Sequence, residues 1–207
     1  MVATDCPCAS IKIHGDREWG YSVPKADGQW SLDQISVTTE RLTVRPFDAA
    51  DVSPAYLSWL NNGEHMRFSN QRLETHNHDS ALEYLSSFNG IDSVFLAIEL
   101  RDHAQLVGTA TVFSNIHHGT ADIGVMIGPE HSGRGIAREA VRAIAESLDT
   151  EGFRKITIGT SAQNVAMLRV IESVGFHPDG VKLRHEVIDG VEVDVCYFAR
   201  FPRNSTS

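Results

Sequence analysis

The stretch Gly128-Pro129-Glu130-His131-Ser132-Gly133-Arg134-Gly135-Ile136-Ala137 decides the reading of this chain. It joins an apolar run, 121–127, to the clearest amphipathic helix, 134–148, in which Ala137, Ala140, Val141, Ile144, Ala145 and Leu148 recur at helical spacing. Two glycines two apart, followed by a small residue, let the backbone turn tightly at a helix N-terminus. Several N–H groups then point at one spot, which is a device for binding phosphate. Arg134 and Arg138 add positive charge beside it. No Gly-Lys-Ser/Thr follows, so the turn is not a P-loop, and the strands before it read as antiparallel, which fits a dinucleotide-binding β-α-β unit poorly.

Working outward, the runs 94–100, 106–113 and 121–127 are rich in β-branched and aromatic residues, and short turns near Asp102-His103 and His117-His118-Gly119 join them. They predict an antiparallel meander. Upstream, Arg41-Leu42-Thr43-Val44-Arg45 alternates as a half-buried strand and stops at Pro46. Asp48 is the expected cap of a helix through Tyr56, Leu57, Trp59 and Leu60, and a second helix is expected over 79–88. Downstream, the pattern predicts a strand at 156–159, a helix at 165–174 ended by Gly175, and strands 184–188 and 192–199 around the hairpin signal Asp189-Gly190. Residues 1–37 show neither period and read as an irregular N-terminal extension. The expected domain is 38–201, with 202–207 a tail.

A second motif lies beyond the glycine turn: Asn164-Val165-Ala166-Met167, then Glu172-Ser173-Val174-Gly175-Phe176. Together the two motifs resemble the GCN5-related N-acetyltransferases (GNAT). In that family the turn reads Gln/Arg-x-x-Gly-x-Gly/Ala and holds the pyrophosphate of acetyl-coenzyme A. Ser132-Gly133-Arg134-Gly135-Ile136-Ala137 matches it at the fourth and sixth positions and departs at Ser132. The resemblance covers about residues 38–200. Thr39 to Pro46 and the segment from Asp179-Gly180 to Asp194 look like the branch of ribosomal-protein and amino-sugar acetyltransferases. Tyr56-Leu57-Ser58-Trp59-Leu60-Asn61-Asn62, with Arg67-Phe68 and Gln71-Arg72, is similar to a Leu-x-Trp-Leu-Asn-Asp segment of sugar-nucleotide 4-amino N-acetyltransferases, although Trp59 would serve a core equally well.

The resemblance implies an α+β GNAT fold, a mixed, mostly antiparallel twisted sheet of about seven strands with flanking helices. It implies acetyl-CoA as co-substrate and direct attack of a primary amine on the thioester, with no cysteine nucleophile. Val125, Met126 and Ile127, on a bulged strand, would pair with the pantetheine arm and aim an N–H at the thioester oxygen. Ser132, Gly133, Arg134, Gly135, Ile136, Ala137 and Arg138 would hold the pyrophosphate. Asn164 would hold pantetheine or an ordered water, a role compatible with capping the helix that starts at Val165.

Asp122, the one charged side chain in 121–127, is the first candidate for the base, near where histone-type members place a glutamate. A strand-end carboxylate facing solvent or pairing with an arginine is the other reading. Glu99, His65, His117 and His118 are weaker candidates. The family's tyrosine acid would fall at Ile171, so that group is absent.

Eighteen Lys and Arg against 27 Asp and Glu give a net charge of −9, which opposes non-specific binding to nucleic acid or anionic lipid. No run of about 18 apolar residues reads as a membrane span, and no apolar signal core stands near the N-terminus, so a cytoplasmic location is expected. The three cysteines, Cys6, Cys8 and Cys196, read as reduced thiols, and no metal site is expected. The acceptor expected from the resemblance is a small-molecule amine, with an amino-sugar nucleotide preferred and its phosphates met by Arg41, Arg45, Arg67 and Arg72. The alternatives are a protein N-terminus of ribosomal type and a non-catalytic acyl-CoA-binding module. The extension is compatible with a flexible tail, a lid over the acceptor site or the contact of a homodimer.

Overall fold

The computed structural model describes residues 32–202, so Cys6, Cys8, most of the expected extension and most of the tail lie outside the described residues. The first described element is a 3-10 turn, Leu32–Gln34, followed by the short strand β1, Val37–Thr38, and by β2, Leu42–Pro46. Leu32 and Ile35 are buried in the main core. Packing therefore begins inside the stretch read as extension, because two apolar side chains too far apart to show a period still fill seats under the sheet.

Asp48 caps only the 3-10 turn Ala49–Asp51; helix α1, Pro54–Leu60, starts later, capped by Ser53 with Pro54 in its first turn. Helix α2, His78–Ser86, is capped by Asn77. Strands β3, Ser93–Leu100, β4, Gln105–Asn115, and β5, Thr120–Ile127, form the expected antiparallel meander. Then come α3, Ile136–Thr150, β6, Lys155–Ser161, α4, Val165–Ser173, β7, His177–Ile188, and β8, Val191–Arg200. Asp189 and Gly190 turn between the last two strands with φ of 52° and 77°, the left-handed pair that a tight hairpin needs.

The eight strands form one sheet in the order β1-β2-β3-β4-β5-β6-β8-β7. The strand beyond the expected seven is β1. Along β3, Leu96 and Ile98 belong to one core cluster with α3 and α4, while Phe95 and Ala97 belong to the other with α1 and α2. Helices thus cover both faces, and the continuous apolar run of this strand follows from burial on both sides. Among the described residues no helix is long and apolar enough to cross a membrane.

One joint positions the site. β5 and β6 run parallel and pair only from Thr120↔Lys155 to Asp122↔Thr157. Beyond that rung β5 stays on β4 as far as Ile127, whereas β6 follows β8 as far as Ser161. The two strands part, and the sheet forks.

Candidate active site

The fork opens into a cavity of about 280 Å³. On one side it is lined by Gly124, Val125 and Met126 of β5, by Ile158, Gly159 and Thr160 of β6, and by Asn164 and Met167 around the start of α4. Backbone groups of β5 that turn toward β6 past Asp122 have no rung there, so an extended, amide-bearing chain laid in the fork would find hydrogen-bond partners. β5 keeps continuous register with β4, so the bulge expected in 123–127 is absent. The register shift in the meander falls instead between Ile98 and Glu99, against β4. The freed edge of β5 comes from the splay of β6, not from an extra residue.

At the end of β5 the chain makes a 3-10 turn, Pro129–His131, and then the glycine turn. Gly133 and Gly135 both have φ of 75°, and Gly135 is the N-cap of α3. With those torsions the turn leaves its N–H groups at an open helix start. Ser132, Gly133, Arg134, Gly135 and Arg138 are exposed, Ala137 is half-buried and Ile136 is buried beneath them. Ser132 Oγ donates back to the Gly128 carbonyl over 3.4 Å. The residues present fit a pyrophosphate: an open glycine turn, a helix N-terminus and two exposed arginines.

Asp122 stands at the closed end of the fork, opposite Thr157. The Thr157 hydroxyl donates to its carboxylate. Burial pushes the Asp122 carboxyl above the usual carboxylate range, and the bond from Thr157 opposes that shift. Its partner is therefore a threonine, neither solvent nor an arginine. Asn164 Oδ1 accepts from the Met167 N–H at 3.2 Å, and its amide donates to Thr160 Oγ1 at 3.1 Å. It caps α4 and lines the cavity at once. Ile171 is buried in the core of that helix and does not line the cavity.

The other candidate bases are placed elsewhere. Glu99 pairs with Arg45, which also pairs with Asp51. His117 and His118 lie exposed in the β4–β5 connection, the length of β5 away from the glycine turn. His65 approaches the Ile127 backbone, and its burial lowers its pKa from the ordinary value against the opposing pull of Glu130.

The four arginines expected to meet acceptor phosphates are all engaged. Arg41 bonds Glu139 and the Arg134 carbonyl, Arg45 holds its two carboxylates, Arg67 pairs with Asp189 at 2.9 Å, and Arg72 donates to the carbonyls of Ser69 and Val187. Trp59 is buried, its indole N–H donating to Glu130 Oε1 at 3.0 Å. It braces the entry to the glycine turn and does not line the cavity.

Sequence reasoning missed Thr157 and the aromatic side of the cavity, where Tyr56, Phe68, Tyr84 and Phe95 stand. The signal for Thr157 was its place in the alternation of 156–159, legible only once the parallel register is known. The aromatic residues come from α1, the α1–α2 connection, α2 and β3, and carry no common spacing. Among the described residues no group of three His, Cys, Asp or Glu forms a metal site.

A forked mixed sheet with a glycine turn and a helix N-terminus beyond the fork offers an extended, amide-accepting groove that leads toward an anion-binding turn. The chain belongs to the acetyltransferase (GNAT) family, whose domain matches residues 41–177. It carries an N-acetyltransferase domain, and acetyl-CoA is the co-substrate of the family. It is 34% identical over 93 residues to the probable N-acetyltransferase YjcK of Bacillus subtilis, a match spanning 44% of this chain and about half, 51%, of that relative. The fold is similar to that of the ribosomal alpha-N-protein acetyltransferase RimL in complex with coenzyme A. The TM-score is 0.73 at 18% identity, over 81% of this chain and 98% of that one. It is also similar to spermidine N-acetyltransferase from Vibrio cholerae in complex with CoA and spermine, with a TM-score of 0.70 at 21% identity over 79% of this chain and 97% of that one.

Proposed function

We propose that the protein transfers the acetyl group of acetyl-CoA to the primary amine of a small molecule by direct attack. The observation that carries this reading is the fork between β5 and β6, with the glycine turn at one end and a half-open cavity within it. The co-substrate supplies a thioester, an activated acyl donor. The open edge of β5 at Val125 and Met126, with Ile127 beyond the cavity lining, orients the extended arm and offers an N–H to the carbonyl oxygen as charge develops there. The turn from Ser132 to Arg138 holds the pyrophosphate through its N–H groups and the α3 N-terminus. Asn164 fixes the start of α4 beside the arm.

Asp122, at the closed end of the fork and outside the cavity lining, takes a proton from the incoming ammonium through water, so that the neutral amine attacks. The new N–C bond forms, the C–S bond breaks, and the sulfur leaves with the electron pair and ends as a thiol. Burial suits Asp122 to this role, because a raised pKa brings a carboxylate nearer to the working pH. With Ile171 in the core, the proton on the sulfur comes from water or another donor.

An amino-sugar nucleotide remains in the acceptor panel on the sequence resemblance, without the four arginines to receive it. A basic protein N-terminus would be drawn by the net charge of −9. The test is thiol release from acetyl-CoA with a panel of amines, amino-sugar nucleotides and basic peptides, with coenzyme binding followed by calorimetry. Gly135→Glu, which puts a side chain and a negative charge at a position with φ of 75°, should abolish both binding and release. Tight coenzyme binding with no release from any acceptor would replace the enzyme with an acyl-CoA-binding module.

A further inference from the structure

The acceptor side of the cavity has a composition that its neighbourhood does not prepare for. Of the described residues lining it, none is Asp, Glu, Lys or Arg, and Asp122 stands outside the lining at the closed end of the fork. The arginines around it are engaged away from the space: Arg45 with Asp51 and Glu99, Arg67 with Asp189, Arg72 with two carbonyls. What faces the space is an aromatic and apolar wall, chiefly Tyr56, Met66, Phe68, Tyr84 and Phe95, opposite a comparable share of polar groups that includes Gln71 and His76 but no carboxylate or guanidinium. Tyr84 meets Phe95 edge to face, with ring centroids 5.4 Å apart at 81°. Phe47 and Phe88 continue the cluster against Phe95 at 4.6 and 5.3 Å. A further ring entering from the cavity would extend an arrangement that aromatic rings favour.

The physical consequence is selective. A polyamine would bring a second ammonium, and a phosphorylated amino sugar would bring phosphate charge, into a lining that offers neither a carboxylate nor a guanidinium to receive it. A single amine loses its charge before it reacts, so it leaves nothing unpaired. The space, about 280 Å³ shared with the thioester end of the arm, lies at the small end of the roughly 300–1,000 Å³ seen for ligand pockets. We infer that the acceptor is a compact primary amine on an uncharged aromatic body, an arylalkylamine. This rests on the acetyl-transfer reading above and names the substrate class for it.

The experiment compares thiol release from acetyl-CoA with phenethylamine and tryptamine against spermidine and a uridine-diphosphate amino sugar, using the full chain. The expected result is a kcat/KM for the arylalkylamines at least tenfold above either charged acceptor. Gln71→Glu places one carboxylate in the lining with almost no change in volume. It should move the spermidine-to-phenethylamine ratio of kcat/KM toward spermidine by tenfold or more, with an unchanged melting curve. A wild-type preference for spermidine or the nucleotide, or an unmoved ratio in the variant, overturns the inference and leaves the acetyltransferase reading standing.

Saturation-transfer NMR with phenethylamine, on the chain with and without coenzyme A, separates the two readings. If no acceptor is turned over, the acetyl-transfer reading fails. Saturation of the phenethylamine ring that Phe68→Ala weakens then still supports the pocket assignment, and no saturation overturns it.

Discussion

The carboxylate of Asp122 and the hydroxyl of Thr157 meet at the last rung that joins β5 to β6, where the sheet divides. Burial raises the Asp122 pKa and the threonine hydroxyl pulls it back. Thr157→Val removes only the second influence, so Asp122 stays protonated to a higher pH. The acidic limb of the pH profile of kcat/KM should shift upward in that variant. Asp122→Asn should remove the limb and lower kcat/KM by about 10²- to 10⁴-fold. A limb that ignores both changes would exclude Asp122 as the base.

Glu139 is a carboxylate whose pKa moves in the opposite direction. Burial pushes its pKa up, but bonds from Thr39 and from the side chain and N–H of Arg41, together with the Arg41 charge, hold it below its ordinary 4.5. A depressed carboxylate stabilises the fold above its unfolded pKa, and that contribution is lost as pH falls through the folded value. Glu139→Gln should therefore be less stable than wild type at pH 7. Urea denaturation should show the gap closing on acidification below the usual carboxylate range.

Arg41 also sets the charge at the glycine turn. It pairs with Glu139 at 2.5 Å and donates to the Arg134 carbonyl at 3.1 Å. Arg41→Ala would leave the Glu139 carboxylate unbalanced in the first turn of α3, next to the place assigned to a pyrophosphate. The expected outcome is a KM for acetyl-CoA about tenfold higher with kcat nearly unchanged, the signature of lost uniform binding. Steady-state kinetics with varied acetyl-CoA checks it.

Gly128 lies against the indole of Trp59 so closely that a Cβ would stand 2.6 Å from two ring atoms. Gly128→Ala forces a buried ring or the entry to the turn to move, which should cost about 1–3 kcal/mol of stability. Chemical denaturation measures it. Trp59→Phe should relieve part of that cost, so the double variant should fall short of the sum of the single changes.

The sheet was legible where local chemistry and global fold agree. The alternation of Leu42 and Val44, the apolar meander, the Asp189-Gly190 turn and the helical stripe of α3 each led to the element observed. Asn164 capping α4 followed from its type and place. What escaped depends on contacts between distant segments. The ties from Arg41 to Glu139, Arg45 to Glu99, Arg67 to Asp189 and Arg72 to the Val187 carbonyl join residues with no common period, and they engage all four arginines of the expected phosphate site. The α1 start moved because Ser53-Pro54 is a stronger helix opening than Asp48, whose cap closes on a single turn. The forked sheet itself is a matter of where parallel pairing stops, and no residue type announces that.

Leu32 and Ile35 carry a practical lesson about shortening this chain. Both side chains are nearly sealed from solvent, at 1% and 5% exposure, although they precede the first regular strand. A version begun at residue 38 would keep every long strand and every helix yet lack two core plugs. Trimming either side chain to alanine in a well-packed interior costs about 2–5 kcal/mol. Such a truncate would melt early for reasons unrelated to catalysis, whereas one begun a few residues ahead of Leu32 would retain both. The working limit of this domain is drawn by which side chains fill its interior.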